Sequence, residues 1–129
     1  MRMPSHFYAM VDPAGGHEPV ALARLLLDAG ARILQLRLKD AGARDFLAVA
    51  RAITPLCRAH NATFIVNDRA DIALLADADG VHLGQEDLPL DAARRLLGPD
   101  RIIGVSTHTV EQAREIGRAS CRERVYGPV

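Results

Sequence analysis

The sequence is short of several things, and each shortage narrows its class. It has no tryptophan, and aromatic residues make up only 4% of its 129 positions. That scarcity is not disorder, because 49% of the residues are hydrophobic and the net charge is +0, the composition of one soluble globular domain. There is no excess of charge of either sign, with 16 Lys+Arg against 16 Asp+Glu. A broad nucleic-acid footprint needs clustered, unbalanced cations, so a nucleic-acid partner is not expected. Long hydrophobic runs are missing too. Stretches such as Ile72-Ala-Leu-Leu-Ala76 fall far below the roughly 20 apolar residues a bilayer span requires, so no membrane association is expected. Met1-Arg-Met-Pro-Ser5 leads into no apolar signal core, which argues against export. Only Cys57 and Cys121 are present, too few for a disulfide framework, and a cytoplasmic location follows as the expectation. The histidines His6, His17, His60 and His108 show no zinc-ligand spacing.

What is present is an alternation of short apolar runs and amphipathic segments. Apolar runs fall at residues 6–11, 31–36, 63–66, 80–83 and 101–105. Helical spacing fills 18–29, with Val20, Leu22, Ala23, Leu26 and Leu27 on one stripe. It fills 43–60 as well, with Phe46, Leu47, Ala50, Ile53 and Cys57, although Pro55 there predicts a kink or an early end. Shorter helices are expected over 70–76 and 90–97, and Thr109-Val-Glu-Gln112 matches a capping box opening another. Gly30 stands where a helix-ending glycine belongs, and Gly98-Pro99 is a stop signal. Strand and helix in alternation with short links is the signature of parallel βα units. The α/β class is therefore expected, as a closed (β/α)8 TIM barrel or an open doubly wound sheet. Asp12-Pro-Ala-Gly-Gly16 lacks the glycine fingerprint of a dinucleotide fold, and there is no P-loop.

The informative residues are polar ones at strand ends. Gln35, Arg37 and Lys39 recur with period two after an apolar run, which puts them on one face. Taken alone, these could equally be a solvated edge. Asn67-Asp68 closes the next strand, where the plain explanation is a helix cap. Gly84-Gln85-Glu86-Asp87 follows the fourth and Ser106-Thr107-His108-Thr109 the fifth. In a parallel barrel all these ends converge on the mouth that carries the chemistry. Arg37 and Lys39 suit phosphate oxygens, and Asp68 and Asp87 are hard ligands of the kind Mg2+ prefers. Gln35, Asn67 and Ser106 add hydrogen bonds to the same anion. A Mg2+–pyrophosphate site describes this set better than a hydrolytic triad. Cys57 reads as core, and His82 as a hydrogen-bonded structural histidine rather than a ligand.

Four motifs in register, Gln35-Leu-Arg-Leu-Lys39, Val66-Asn-Asp-Arg-Ala-Asp-Ile-Ala73, Gly80-Val-His-Leu-Gly-Gln-Glu-Asp87 and Gly104-Val-Ser-Thr-His108, resemble thiamine phosphate synthases. The resemblance runs from about Phe7 to Arg114 and implies the (β/α)8 barrel of that family. It implies a transferase that joins hydroxymethylpyrimidine diphosphate to a thiazole phosphate, releasing pyrophosphate, through a dissociative step. By motif, Gln35, Leu36, Arg37, Leu38, Lys39, Asn67 and Ser106 would hold the pyrimidine diphosphate, and Asp68 and Asp87 would ligate Mg2+. Arg37 and Lys39 would stabilise the departing pyrophosphate, the catalytic contribution. The sister thiazole tautomerases share the barrel but depart from the pyrophosphate and Mg2+ motifs, so they rank second.

The pattern weakens after Arg114. Residues 1–114 read as the first part of one barrel domain and 115–129 as an anomalous tail. Codons for Ile116 to Val125 can be written to match a common sequencing adapter, while ordinary divergence is the alternative; Tyr126-Gly-Pro-Val129 resembles the family's next element. A complete barrel takes about 250 residues. About five βα units are therefore expected here, with the thiazole site outside them and little or no synthase turnover. A non-catalytic half-barrel that self-associates through its strand edges is the reading from another class, which leaves a homo-oligomer open.

Overall fold

The computed structural model describes residues 8–13 and 16–106, together with the backbone of 125–126. The elements in order are β1 (Tyr8–Val11), α1 (Pro19–Asp28), β2 (Ile33–Leu36), α2 (Ala43–Ala59), β3 (Thr63–Asn67), α3 (Ala70–Leu75), β4 (Gly80–Leu83), α4 (Leu90–Leu97), β5 (Ile102–Val105) and β6 (Val125–Tyr126). All five strand pairings are parallel, and the sheet order is sequential, β1-β2-β3-β4-β5-β6. A doubly wound sheet reverses its strand order at a switch point. No reversal occurs among the described strands, so of the two architectures expected only the sequential one matches. Where five βα units were expected, the sheet has a sixth strand, formed by Val125–Tyr126 within the segment read as a tail. The capping box at Thr109, together with His108 and Cys121, lies outside the described residues.

Local sequence explains the helix bounds. Glu18 caps α1, its carboxylate accepting from the Val20 and Ala21 N–H groups at 3.0 and 2.7 Å. Pro19 occupies the first turn, where a missing N–H costs nothing. The chain then leaves α1 through Gly30, whose φ of +104° suits a glycine beyond the helix end. Pro55 does not end α2 as expected. The helix runs on to Ala59, and Pro55 sits on its exposed side, where a lost backbone hydrogen bond is cheapest.

The two faces of the sheet divide the labour. Ala9, Val11, Leu34, Leu36, Phe64, Val66, Val81, Leu83, Ile103 and Val105 pack with helix residues Ala23, Leu27, Phe46, Ala50, Ile53, Ile72 and Leu97 into one apolar core. Successive helices pack side by side, α1 on α2, α2 on α3, α3 on α4, so they share this face. Alternation sends Gln35, Ile65, Asn67 and His82 to the opposite face, and all four are buried. Cys57 lies in the core as expected. Burial, with Asp79 nearby, pushes its thiol up to about 12, so it stays neutral and unreactive.

The N-terminal ends of the strands are tied by charge. Asp77 receives Arg101 at 2.6 Å and pairs with Arg58 as well. Arg101 also donates to the carbonyls of Ala78 and Leu97, and the Asp79 carboxylate accepts from the Phe64 N–H at 2.7 Å. Gly80 begins β4 where its backbone passes close to β5, because a Cβ there would fall 2.2 Å from the Ile102 carbonyl oxygen.

Candidate functional site

The parallel register brings the C-terminal ends of β2 to β5 to one side. Backbone hydrogen bonds extend the ladder past each end: Arg37 N–H to Val11 O at 2.9 Å, Asp68 N–H to His82 O at 2.8 Å, and Ser106 N–H to Leu83 O at 3.0 Å. These fix where the side chains beyond the strands begin. β2 stops at Leu36, so Arg37 and Lys39 belong to the following loop. The alternation still holds there, with Leu36 and Leu38 buried while Arg37 is half-buried and Lys39 exposed. Leu36 therefore turns its side chain into the core, away from the site, and can meet a ligand only through its backbone. Leu38 instead lines a pocket of about 100 Å3 with Lys39, Ala41, Phe46, Asn67, Asp68 and Arg69.

The capping explanation of Asn67 and Asp68 fails. The cap of α3 is Arg69, whose side chain makes no capping hydrogen bond. Asp68 instead occupies a left-handed conformation, φ +70°, while the Arg69 N–H donates to the Asn67 carbonyl at 2.9 Å. A hydrogen bond spanning one residue of positive φ is the rare form of the γ-turn, a strained backbone. The turn aims the Asp68 carboxyl at Asp87, with which it hydrogen-bonds. Burial pushes the Asp68 carboxyl above its ordinary range, and the hydrogen bond and charge of Asp87 push the same way; Lys39 and Arg37 pull against them. The carboxylate pair and the cations are therefore neighbours in space. Asp87 is itself held by the Gly84 N–H, which donates to its Oδ2 at 2.7 Å. A Cβ on Gly84 would sit 3.1 Å from that oxygen, so a side chain there would crowd the carboxylate.

Arg37 is steadied by Asp12 at the end of β1, 3.8 Å away. Gln35 lies deeper, on the face turned from the helices, and donates from Nε2 to the Tyr8 hydroxyl at 2.9 Å. Ser106 stands beside His82, whose Nε2 is 2.7 Å from Oγ. Burial holds His82 below its ordinary value, against the opposing pull of Asp87, so the ring is neutral near pH 7. With its proton on Nε2, the ring donates to Ser106 and leaves that hydroxyl able to donate to an anion.

Arg37, Lys39, Asn67, Asp68, Asp87 and Ser106 thus all belong to one end of the sheet. His82 is hydrogen-bonded, as expected of it, but its partner is a site residue. Sequence reasoning missed Tyr8 and, although it named the Gly84-Gln85-Glu86-Asp87 turn, gave Gly84 and Gln85 no contact of their own. The pairing of Asn67 with His82 in the β3–β4 register is the signal that ties His82 to this face, and it requires the register to be known. Among the described residues no three His, Cys, Asp or Glu side chains form a metal cage. A carboxylate pair without a third protein ligand suits a cation that keeps water and phosphate oxygens in its shell.

The family profile described as thiamine monophosphate synthase matches residues 7–129. The thiamine-phosphate synthase of Chlorobium phaeovibrioides is 65% identical over 95 residues, 74% of this chain and 46% of its own length. That of Anaeromyxobacter dehalogenans is 50% identical over 115 residues, covering 89% of this chain and 51% of the relative. The thiamine phosphate pyrophosphorylase structure from Pyrococcus furiosus superposes with a TM-score of 0.78 at 35% identity, covering 86% of this chain and 55% of that one. The chain spans about half the length of the relatives it matches. With the motifs, the sequential parallel sheet and the profile match in agreement, the chain belongs to the thiamine monophosphate synthase family.

Proposed function

We propose that this chain supplies the Mg2+–pyrophosphate half of a thiamine phosphate synthase, a transferase that joins hydroxymethylpyrimidine diphosphate to thiazole phosphate and releases pyrophosphate. The observation that carries the reading is the contact of Asp68 with Asp87 beside Arg37 and Lys39. Two carboxyl groups this close either share a proton or repel, and a divalent cation held by them would remove the repulsion. The donor set, two carboxylates with no sulfur or imidazole ligand, fits Mg2+. When bound, the ion supplies positive charge to the diphosphate oxygens.

The chain's own residues do the rest. Arg37 and Lys39 neutralise charge that accumulates on the departing pyrophosphate, held in place before the bond breaks. Asn67 and Ser106 fix the diphosphate by hydrogen bonds. Gln35, buried and held by Tyr8, orients the pyrimidine end. No activated nucleophile is required, in keeping with the absence of a reactive cysteine among the described residues. The sequential sheet supports a (β/α)8 barrel as the complete architecture, and a cytosolic setting suits the substrates. Among the described residues no helix is long and apolar enough to cross a membrane.

Isothermal titration of the 129-residue polypeptide with pyrophosphate tests the reading. Binding is expected with Mg2+ present and abolished by EDTA. Equal binding with and without Mg2+, or none under either condition, overturns it.

A further inference from the structure

Asp87 and Ser106 are assigned to one site but sit on separate pieces of chain. Ser106 is anchored at three atoms, and all three anchors come from β4 and the turn after it. Its N–H donates to the Leu83 carbonyl at 3.0 Å, its Oγ meets His82 Nε2 at 2.7 Å, and its carbonyl accepts from the Gln85 side-chain amide. Gln85 lies in the same short turn in which the Gly84 N–H grips the Asp87 carboxylate. It is exposed and contributes nothing to the core, so packing does not explain it. Among the described residues its amide makes the one side-chain hydrogen bond between that turn and the β5 end.

We propose that Gln85 is a positioning residue, its amide holding the Asp87 turn at a fixed spacing from Ser106. The inference rests on the reading of this site as a Mg2+–pyrophosphate site. A cation held by Asp87 and a hydroxyl donated by Ser106 would bear on one diphosphate, and both act fully only when their separation matches it. A turn free to drift relative to the strand end loses that match, although neither group has been removed.

The test uses Gln85→Met, which keeps the shape and neutrality of the side chain but cannot donate. Mg2+-dependent pyrophosphate affinity is measured by calorimetry for the parent chain, Gln85→Met, Ser106→Ala and the double variant, with thermal midpoints recorded alongside. Gln85→Met is expected to bind about tenfold more weakly at an unchanged midpoint. Ser106→Ala is expected to cost about tenfold in the parent background but only about twofold after Gln85→Met, because neighbouring groups acting as a unit are non-additive. A general loosening of the loop would leave the two costs independent. Full additivity, or parent-like binding by Gln85→Met, overturns the proposal. If the parent binds but Asp87→Asn does not, the site reading stands whatever Gln85 does; if the parent fails to bind, both fall together.

Discussion

The two ends of the sheet treat charge in opposite ways. At the N-terminal ends, opposite charges meet. Asp77 lies between Arg58 and Arg101, and Asp79 is satisfied by a backbone N–H. At the C-terminal ends, like charges meet, with Asp68 in a strained turn facing Asp87. The first arrangement lowers the energy of the folded chain by itself. The second is relieved when the two carboxyls share a proton, and a bound cation would relieve it in the same way. Strain and like-charge contact of this kind cluster at functional sites, so the contrast favours the C-terminal ends as the candidate site without reference to any relative.

Substitutions can separate the two ends. The largest effect is expected at the carboxylate pair: Asp87→Asn or Asp68→Asn should weaken Mg2+-dependent pyrophosphate binding by about a hundredfold or more. Calorimetry measures that loss, and the thermal midpoint without Mg2+ should stay level or rise, since a repulsion is gone. A large fall in the midpoint would make the pair structural and end the contrast. At the other end, Arg101→Ala removes the bonds to Asp77, Ala78 and Leu97 and should destabilise the chain by about 2 kcal/mol in urea titrations. Pyrophosphate affinity should not move.

Acid should weaken the end where opposite charges meet. The Arg58 and Arg101 guanidinium groups hold the Asp77 carboxyl below its ordinary value of 3.8. A folded-state value below the unfolded one gives stabilisation that is present above pH 3.8 and fades as pH falls through the depressed value. Because Asp77 is well exposed, the contribution is small. Arg58→Ala and Arg101→Ala should each flatten the acid limb of a stability–pH curve.

The smallest effect expected is at His60, whose Nδ1 faces the Leu56 carbonyl at 2.9 Å and whose Nε2 faces Asp28 at 3.1 Å. Both bonds are complete only when the ring carries two protons, and its value is raised above 6.5, chiefly by the Leu56 bond and then by Asp28. This stabilisation is full below pH 6.5 and lost as pH rises through the raised value. His60→Gln should remove a slight decline in thermal midpoint between pH 6 and 8.

Much of the fold was legible in the chain. Short apolar runs between amphipathic segments required a parallel sheet with covered strands, because only that arrangement satisfies both periodicities. The stripe Phe46, Ala50, Ile53, Cys57 lay on the buried face of α2 as its spacing demanded. Of the two outcomes Pro55 suggested, a kink or an early end, the early end did not occur, since α2 runs on to Ala59.

The site was legible in composition but not in geometry. Residue types at the strand ends already implied an anion and a hard cation. The choice between helix cap and ligand at Asn67-Asp68 could not be made from the sequence, since Asp serves both. The backbone alone excluded the cap, by placing Arg69 at that position and giving Asp68 a positive φ. The role of Gln85 likewise depended on β4 and β5 being neighbours, 21 residues apart at that bond. Local chemistry is written along the chain, so the sequence determined the class of fold and the residue types gathered at the strand ends. Which groups oppose and which support one another is set by parallel register across strands, and that was decided by the tertiary structure alone.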